Sequence, residues 1–203
     1  MSRAKSIGLA ALVAIVAIAG GMLLSRAMLD RASAPTLAKA TLLDPARPLP
    51  PMAFVDQQGQ PFGMEQLRGH WSILFFGFTH CPDVCPTTLF DVSEVLRALG
   101  KDADRAGALF ITVDPERDTP AVMKDYLSSF DPHLRGATGD QAAIDAAEKS
   151  YRVYAKKVPT QGGDYSMDHT ALVYLMDKQG RFVAPFSLKR KPEEAAADLR
   201  RYM

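Results

Sequence analysis

"FFGFTHCPDVCPTT", residues Phe75 to Thr88, decides how this chain folds. Its first half belongs to "SILFFGF" (Ser72–Phe78), an almost unbroken apolar run. Such a run is the pattern of a central strand covered on both faces. After it, apolar residues fall at Val84, Leu89, Val92, Val95, Leu96 and Leu99, which is helical spacing, and Gly100 closes the pattern. Between strand and helix lie both cysteines of the chain, Cys81 and Cys85, in a C-x-x-x-C spacing with a proline directly after each. Three readings are open for this pair: a structural disulfide, a redox switch, or part of a metal site.

The prolines constrain the geometry. A residue before proline is biased away from helical torsions, and proline itself is tolerated in the first turn of a helix. The helix is therefore expected to start at Pro86, with both sulfurs on the loop above its N-terminus. Unpaired N–H groups and the positive dipole end favour thiolate there. A structural disulfide gains nothing from that placement, whereas a nucleophile or a metal ligand does.

Downstream, "ALFITV" (Ala108–Val113) reads as a second buried strand. Thr119-Pro120 opens a helix, with Thr as cap and Pro at the first position. Residues 140–149 form a short Ala-rich helix, and "YRVYAKKV" (Tyr151–Val158) alternates like an exposed strand. "QGGDYSMD" is expected as a loop, and "ALVYLMD" (Ala171–Asp177) as another central strand. "AFVDQQGQPF" (Ala53–Phe62) reads as a hairpin turning near Gln58-Gly59, and "RFVAPFS" as the second arm of a hairpin turning at Lys178–Gly180. Lys191–Tyr202 closes the chain as a helix. Strands alternating with helices indicate an α/β sandwich with a mostly parallel centre. In such sheets ligands bind beyond the carboxyl ends of the strands, where the cysteines fall.

The 203 residues are 47% apolar, enough for one domain plus an appendage. The appendage is "SIGLAALVAIVAIAGGMLLS" (Ser6–Ser25), which has no charge and is long enough to cross a bilayer core of about 30 Å. Its length exceeds a typical signal-peptide core, which favours a retained anchor, although "ASA" (Ala32–Ala34) resembles a cleavage site. The expected organisation is an anchor at 1–31, an Ala/Pro-rich tether at 32–50, and the folded domain at 51–203. The formal charge of +1 gives no reason to expect nucleic-acid binding. Setting aside residues 1–31, with four Lys/Arg and one Asp, shifts it to −2. The short N-terminal tail and the lack of a long Arg/Ser-rich transit segment point to a bacterial inner membrane, with the body in the periplasm.

Four histidines are available as partners for the sulfurs. His70 precedes the first central strand, at the wrong edge. His133 follows Asp131-Pro132 in a surface loop. His80 adjoins Cys81, and neighbouring side chains usually point apart. His169 lies just before the strand Ala171–Asp177 and reaches the cysteines only if that strand is antiparallel or the loop folds back. Otherwise it is an exposed loop histidine. Two thiolates with no third cysteine nearby form a soft, incomplete donor set, which suits Cu(I) better than structural zinc, and imidazole suits copper too. Asp114, Glu116 and Asp118 read as turn and cap chemistry, Asp168 as an acceptor that orients His169, Met167 as a neighbouring thioether, and Phe75, Phe76 and Phe78 as core.

Three segments taken together, "GFTHCPDVCPTTL", "VDPERDTPAVMKDYL" (Val113–Leu127) and "YSMDHTALVYLMDKQGRF" (Tyr165–Phe182), closely resemble the Sco/SenC family of membrane-anchored, thioredoxin-like copper proteins. The likeness runs in matching order over residues from about 50 to 200. It implies a thioredoxin-like fold with an N-terminal transmembrane helix, and an antiparallel strand that brings His169 to the thiols. It also implies that Cys81, Cys85 and His169 bind copper, as Cu(I) or Cu(II). Thioredoxins carry C-x-x-C and a proline before the strand facing the cysteines. Here Asp168-His169-Thr170 stands in that place.

The implied role is a copper metallochaperone rather than an enzyme, delivering copper to the dinuclear centre of a haem-copper (cytochrome c) oxidase. The implied partners are the copper-bearing subunit of that oxidase, a periplasmic copper donor and a thiol reductant. The alternative is a membrane-anchored thiol-disulfide reductase, in which Cys81 and Cys85 are a redox-active pair that keeps the oxidase copper-site cysteines reduced. A peroxidase reading lacks a peroxide-activating arginine in the motif. In an oxidising compartment the two cysteines tend to close, so redox state would gate copper loading.

Overall fold

The computed structural model describes residues 53–203. The expected membrane helix within residues 1–31 and the tether at 32–50 lie outside the described residues. Among the described residues no helix is long and apolar enough to cross a membrane.

The chain starts with the expected hairpin, β1 (Phe54–Asp56) and β2 (Pro61–Phe62), and then enters the central strand β3 (Trp71–Gly77). Helix α1 (Val84–Leu99) follows, then β4 (Ala106–Thr112), α2 (Pro120–Leu127), β5 (Leu134–Thr138) and α3 (Gln141–Tyr151). A hairpin of β6 (Ala155–Pro159) and β7 (Tyr165–His169) leads into β8 (Val173–Met176), β9 (Phe182–Pro185) and α4 (Pro192–Arg200). Seven strands form one sheet in the order β2-β1-β5-β4-β3-β8-β9, while β6 and β7 pair only with each other. Strands β3, β4 and β5 are parallel, and β8 runs antiparallel beside β3. This is the α/β, thioredoxin-like arrangement that the sequence leads one to expect.

Its core follows from the apolar runs. Every residue of β3 after Trp71 is buried. Successive side chains on a strand point to opposite faces. Phe75 therefore stacks on its register partner Phe110 at a centroid distance of 6.1 Å, and Phe110 meets Tyr126 of α2. On the other face Phe76 meets Tyr151 of α3 and Tyr174 of β8. Burying an aromatic side chain of this kind contributes roughly 1.5–3 kcal/mol, so both faces of β3 are strongly tied down.

The structure departs from the expectation in four places, one being that the strand expected from Tyr151 begins at Ala155, while Tyr151 is the buried last residue of α3. Helix α1 starts at Val84 rather than Pro86, so Cys85 lies inside its first turn. Pro86 fits there because first-turn N–H groups have no intrahelical acceptor anyway. The helical bonding starts with Thr87 N–H donating to the Asp83 carbonyl, one residue beyond the proline. The stretch expected as a loop contains strand β7, and β5 emerges between α2 and α3.

Candidate metal centre

The loop Thr79–Asp83 carries the chain from the carboxyl end of β3 into α1. Cys81 is half-buried, and Cys85 has no exposed surface. Both thiols are free. The Cys85 N–H donates to Cys81 Sγ at 3.4 Å, so the first sulfur caps the start of α1. Close packing of Cys85 depends on Gly77. A Cβ at that position would stand 2.8 Å from Cys85 Sγ and 2.7 Å from the Phe110 ring.

The helix-terminus argument predicts easier thiolate formation at both cysteines, and for Cys85 the structure corrects it. Burial pushes the Cys85 thiol well above its ordinary value, with the charges of Cys81 and Asp118 adding to the effect. Desolvation of a fully enclosed sulfur outweighs the field of the helix end. Any ion that takes up Cys85 as thiolate must therefore displace its proton.

His169 reaches the sulfurs from the end of β7. Its Nε2 lies 3.6 Å from Cys85 Sγ. Its Nδ1 lies 3.1 Å from the Thr170 carbonyl, which can only accept, so Nδ1 carries the proton and donates. Nε2 is left with its lone pair facing the thiol. The rings of Phe75 and Phe78 meet the imidazole edge-on at 6.2 and 5.8 Å. Burial among them pushes the His169 pKa down, which keeps the ring neutral and able to ligate. The antiparallel pairing of β8 with β3 returns the chain to this edge of the sheet, and that resolves the placement problem left open by the sequence. Asp168 does not orient the imidazole. It alternates to the exposed side of β7, and the Thr170 carbonyl takes the role instead.

The acidic turn after β4 holds the site together. Asp118, with no exposed surface, accepts from the Thr79 N–H, the Thr79 hydroxyl and the Thr112 hydroxyl at 3.0, 2.6 and 2.6 Å. Burial still pushes its pKa up against those three bonds. Asp114 accepts from Arg117 Nε and from the Tyr165 hydroxyl at 2.8 Å. The Arg117 guanidinium lies 3.8 Å from the centre of the Tyr165 ring and donates to the Tyr165 carbonyl. One turn thus clamps the cysteine loop through Asp118 and the β6–β7 hairpin through Asp114 and Arg117. Arg117, Thr79 and Tyr165 were not singled out from sequence. The signal that points to them is the pair of aspartates spaced around an arginine directly after a buried strand.

The other histidines stay apart. His80 turns to the Thr79 hydroxyl at 3.0 Å, while His133 sits between Asp131 and Asp104. His70 lines a cavity at the opposite edge of the sheet together with His133. Over Cys81 and His169 opens a cavity of about 190 Å³, walled also by Phe78, Val84 and Met167. Among the described residues no three His, Cys, Asp or Glu side chains already converge as metal donors. Cys85 and His169 face each other, and Cys81 stands at the mouth.

Comparison with known proteins covers the whole described body. A profile of the SCO1/SenC family matches residues 42–203. An SCO2-like protein of Rickettsia prowazekii is 38% identical over 146 residues, spanning 71% of each chain. The structure of Bradyrhizobium japonicum ScoI with copper bound is 65% identical, with a TM-score of 0.75, covering 77% of this chain and 100% of the other. Yeast Sco1 with copper bound is 37% identical, with a TM-score of 0.69, covering 76% of this chain and 87% of the other.

Proposed function

The chain belongs to the SCO1/SenC family, and from that premise we propose that it binds one copper ion through Cys81, Cys85 and His169 and helps assemble the dinuclear copper centre of a cytochrome c oxidase. The observation that carries the reading is the 3.6 Å between Cys85 Sγ and His169 Nε2. Typical metal bonds of about 2.3 Å to sulfur and about 2.0 Å to nitrogen, at 110–120°, put two such donors roughly 3.5–3.7 Å apart. The similar structures of B. japonicum ScoI and yeast Sco1, both with copper bound, support the choice of ion.

The donor chemistry agrees. Two thiolates and a neutral imidazole carry Cu(I) with a net charge of −1 and Cu(II) with none, and sulfur favours Cu(I). Cys81 turns in from the cavity mouth to complete the set. Its half-exposed place also lets an ion pass to an acceptor without opening the core. The proposed setting is a bacterial inner membrane, with the body in the periplasm and residues 6–25 as the anchor.

Copper titration of the wild type and of Cys81→Ser, Cys85→Ser and His169→Ala tests this reading. The expected result is one copper per chain, with a thiolate-to-Cu(II) absorption band that each Cys→Ser substitution weakens and His169→Ala shifts. Transfer to an isolated oxidase copper domain should follow. An unchanged affinity and spectrum in His169→Ala would sink the three-ligand site.

The two free cysteines also support a second activity. The dithiol of Cys81 and Cys85 can pass two electrons and two protons to a partner disulfide and close as a disulfide itself. That activity needs no imidazole, so it should survive His169→Ala.

A further inference from the structure

Met167 stands two residues before His169 on β7, so the two share a face of the hairpin. Tyr165 belongs to the same face and is fixed inward by its bond to Asp114. Met167 is half-buried against the core and lines the cavity that Cys81 and His169 share. Its other flank closes a second cavity of about 220 Å³, with Asp114, Glu148 and Lys156. Met123 and Met176 are buried elsewhere in the core. Among the described residues, Met167 is thus the one thioether on the wall of the cavity over Cys81 and His169.

On the reading that Cys81, Cys85 and His169 hold copper, we propose that Met167 is a supplementary ligand that selects Cu(I) over Cu(II). Three properties lead there. A thioether is soft, so it bonds Cu(I) well and Cu(II) poorly. It is neutral, so it adds no charge to a Cu(I) dithiolate set that is already negative. Its unbranched, flexible chain lets Sδ follow an ion from the cavity mouth toward the His169 imidazole. A purely packing methionine would behave differently, because leucine replaces it at small cost and without regard to oxidation state.

The test uses the full chain, wild type and Met167→Leu, titrated with Cu(I) and with Cu(II) against competing chelators. The substitution should weaken Cu(I) binding by roughly tenfold, the low end of what loss of a supporting metal contact costs, and move Cu(II) binding by less than about twofold. A second measurement does not depend on how the variant folds. X-ray absorption at the copper edge of the Cu(I)-loaded, selenomethionine-labelled wild type should show a copper–selenium distance. Equal Cu(I) affinity in both chains, an equal loss for both oxidation states, or no selenium neighbour would overturn the assignment while leaving the three-ligand site standing. A wild type that binds neither ion would overturn both.

Discussion

Two edges of one sheet carry histidines beside cavities of similar size, and they treat the ring in opposite ways. At the carboxyl end of β3, His169 sits among Phe75, Phe78 and the Cys85 thiol, and burial holds its pKa down. At the amino end, His133 sits between the carboxylates of Asp131 and Asp104 at 2.7 and 3.3 Å, and its pKa is held up. An imidazole between anions is biased toward the protonated form, which cannot ligate a metal. An imidazole among rings, with Nδ1 tied to a carbonyl, is kept as a neutral base with Nε2 free. Residue type is shared, and the neighbours decide which ring can serve a metal.

The largest test of this contrast is copper affinity. Cys85→Ser and His169→Ala should each lower it by more than roughly a hundredfold, beyond the usual cost of losing an outer contact. His133→Ala should leave it unchanged. Competition titration of the three variants reads the difference directly, and a copper loss in His133→Ala would break the contrast.

Next in size is the clamp under the cysteine loop. Asp118→Ala strands the Thr79 N–H and two hydroxyls, and it should cost about 2–4 kcal/mol of stability. The loss appears as a lower urea midpoint. Cys81 should also become more reactive toward an alkylating probe, because the loop loses its anchor. Tyr165→Phe is milder. It removes one bond to Asp114 and should cost about 1 kcal/mol, seen as faster amide exchange confined to the β6–β7 hairpin.

The smallest effect is the pH dependence of stability, and it has opposite signs at the two histidines. The folded pKa of His133 lies above the ordinary imidazole value of about 6.5. Its contribution is full below 6.5 and fades as pH rises through the folded pKa. The folded pKa of His169 lies below 6.5, so it costs nothing above that value and destabilises as pH falls beneath it. In thermal melts between pH 5 and 8, His133→Gln should therefore remove an acid-side gain. His169→Gln should remove an acid-side loss. The same slope from both variants would contradict the assignment of the two rings.

Much of the fold is legible where burial is continuous. The runs behind β3, β4 and β8 and the capped start of α2 at Thr119-Pro120 read correctly, because strands covered on both faces leave no choice of residue. Strand β5 escapes, since "LRGAT" is short, carries an arginine and has small residues where α2 packs close against Gly136. Strand β7 escapes for a different reason. "YSMDH" belongs to a two-stranded sheet with few buried positions, so its sequence stays as polar as a loop. The start of α1 is misjudged because the proline rule is local, and enclosure of Cys85 against Gly77 overrides it. At the site, the family likeness points to His169 through its motif. The alternation that turns Asp168 outward becomes visible only once β7 is known to be a strand.

The hairpin of β6 and β7 has one further consequence. It shares no strand pairing with the main sheet, and it supplies His169, while Cys85 comes from the opposite side of the site. An ion held by both residues would act as a rivet between two separately stiff pieces, joining points 84 residues apart in sequence. Like any cross-link over a long loop, it would restrict the unfolded chain more than the folded one. Cargo and structural brace would then be the same atom. A chain that has handed over its ion would be measurably looser at Gly162-Gly163, the exposed tip of that hairpin, than one still carrying it.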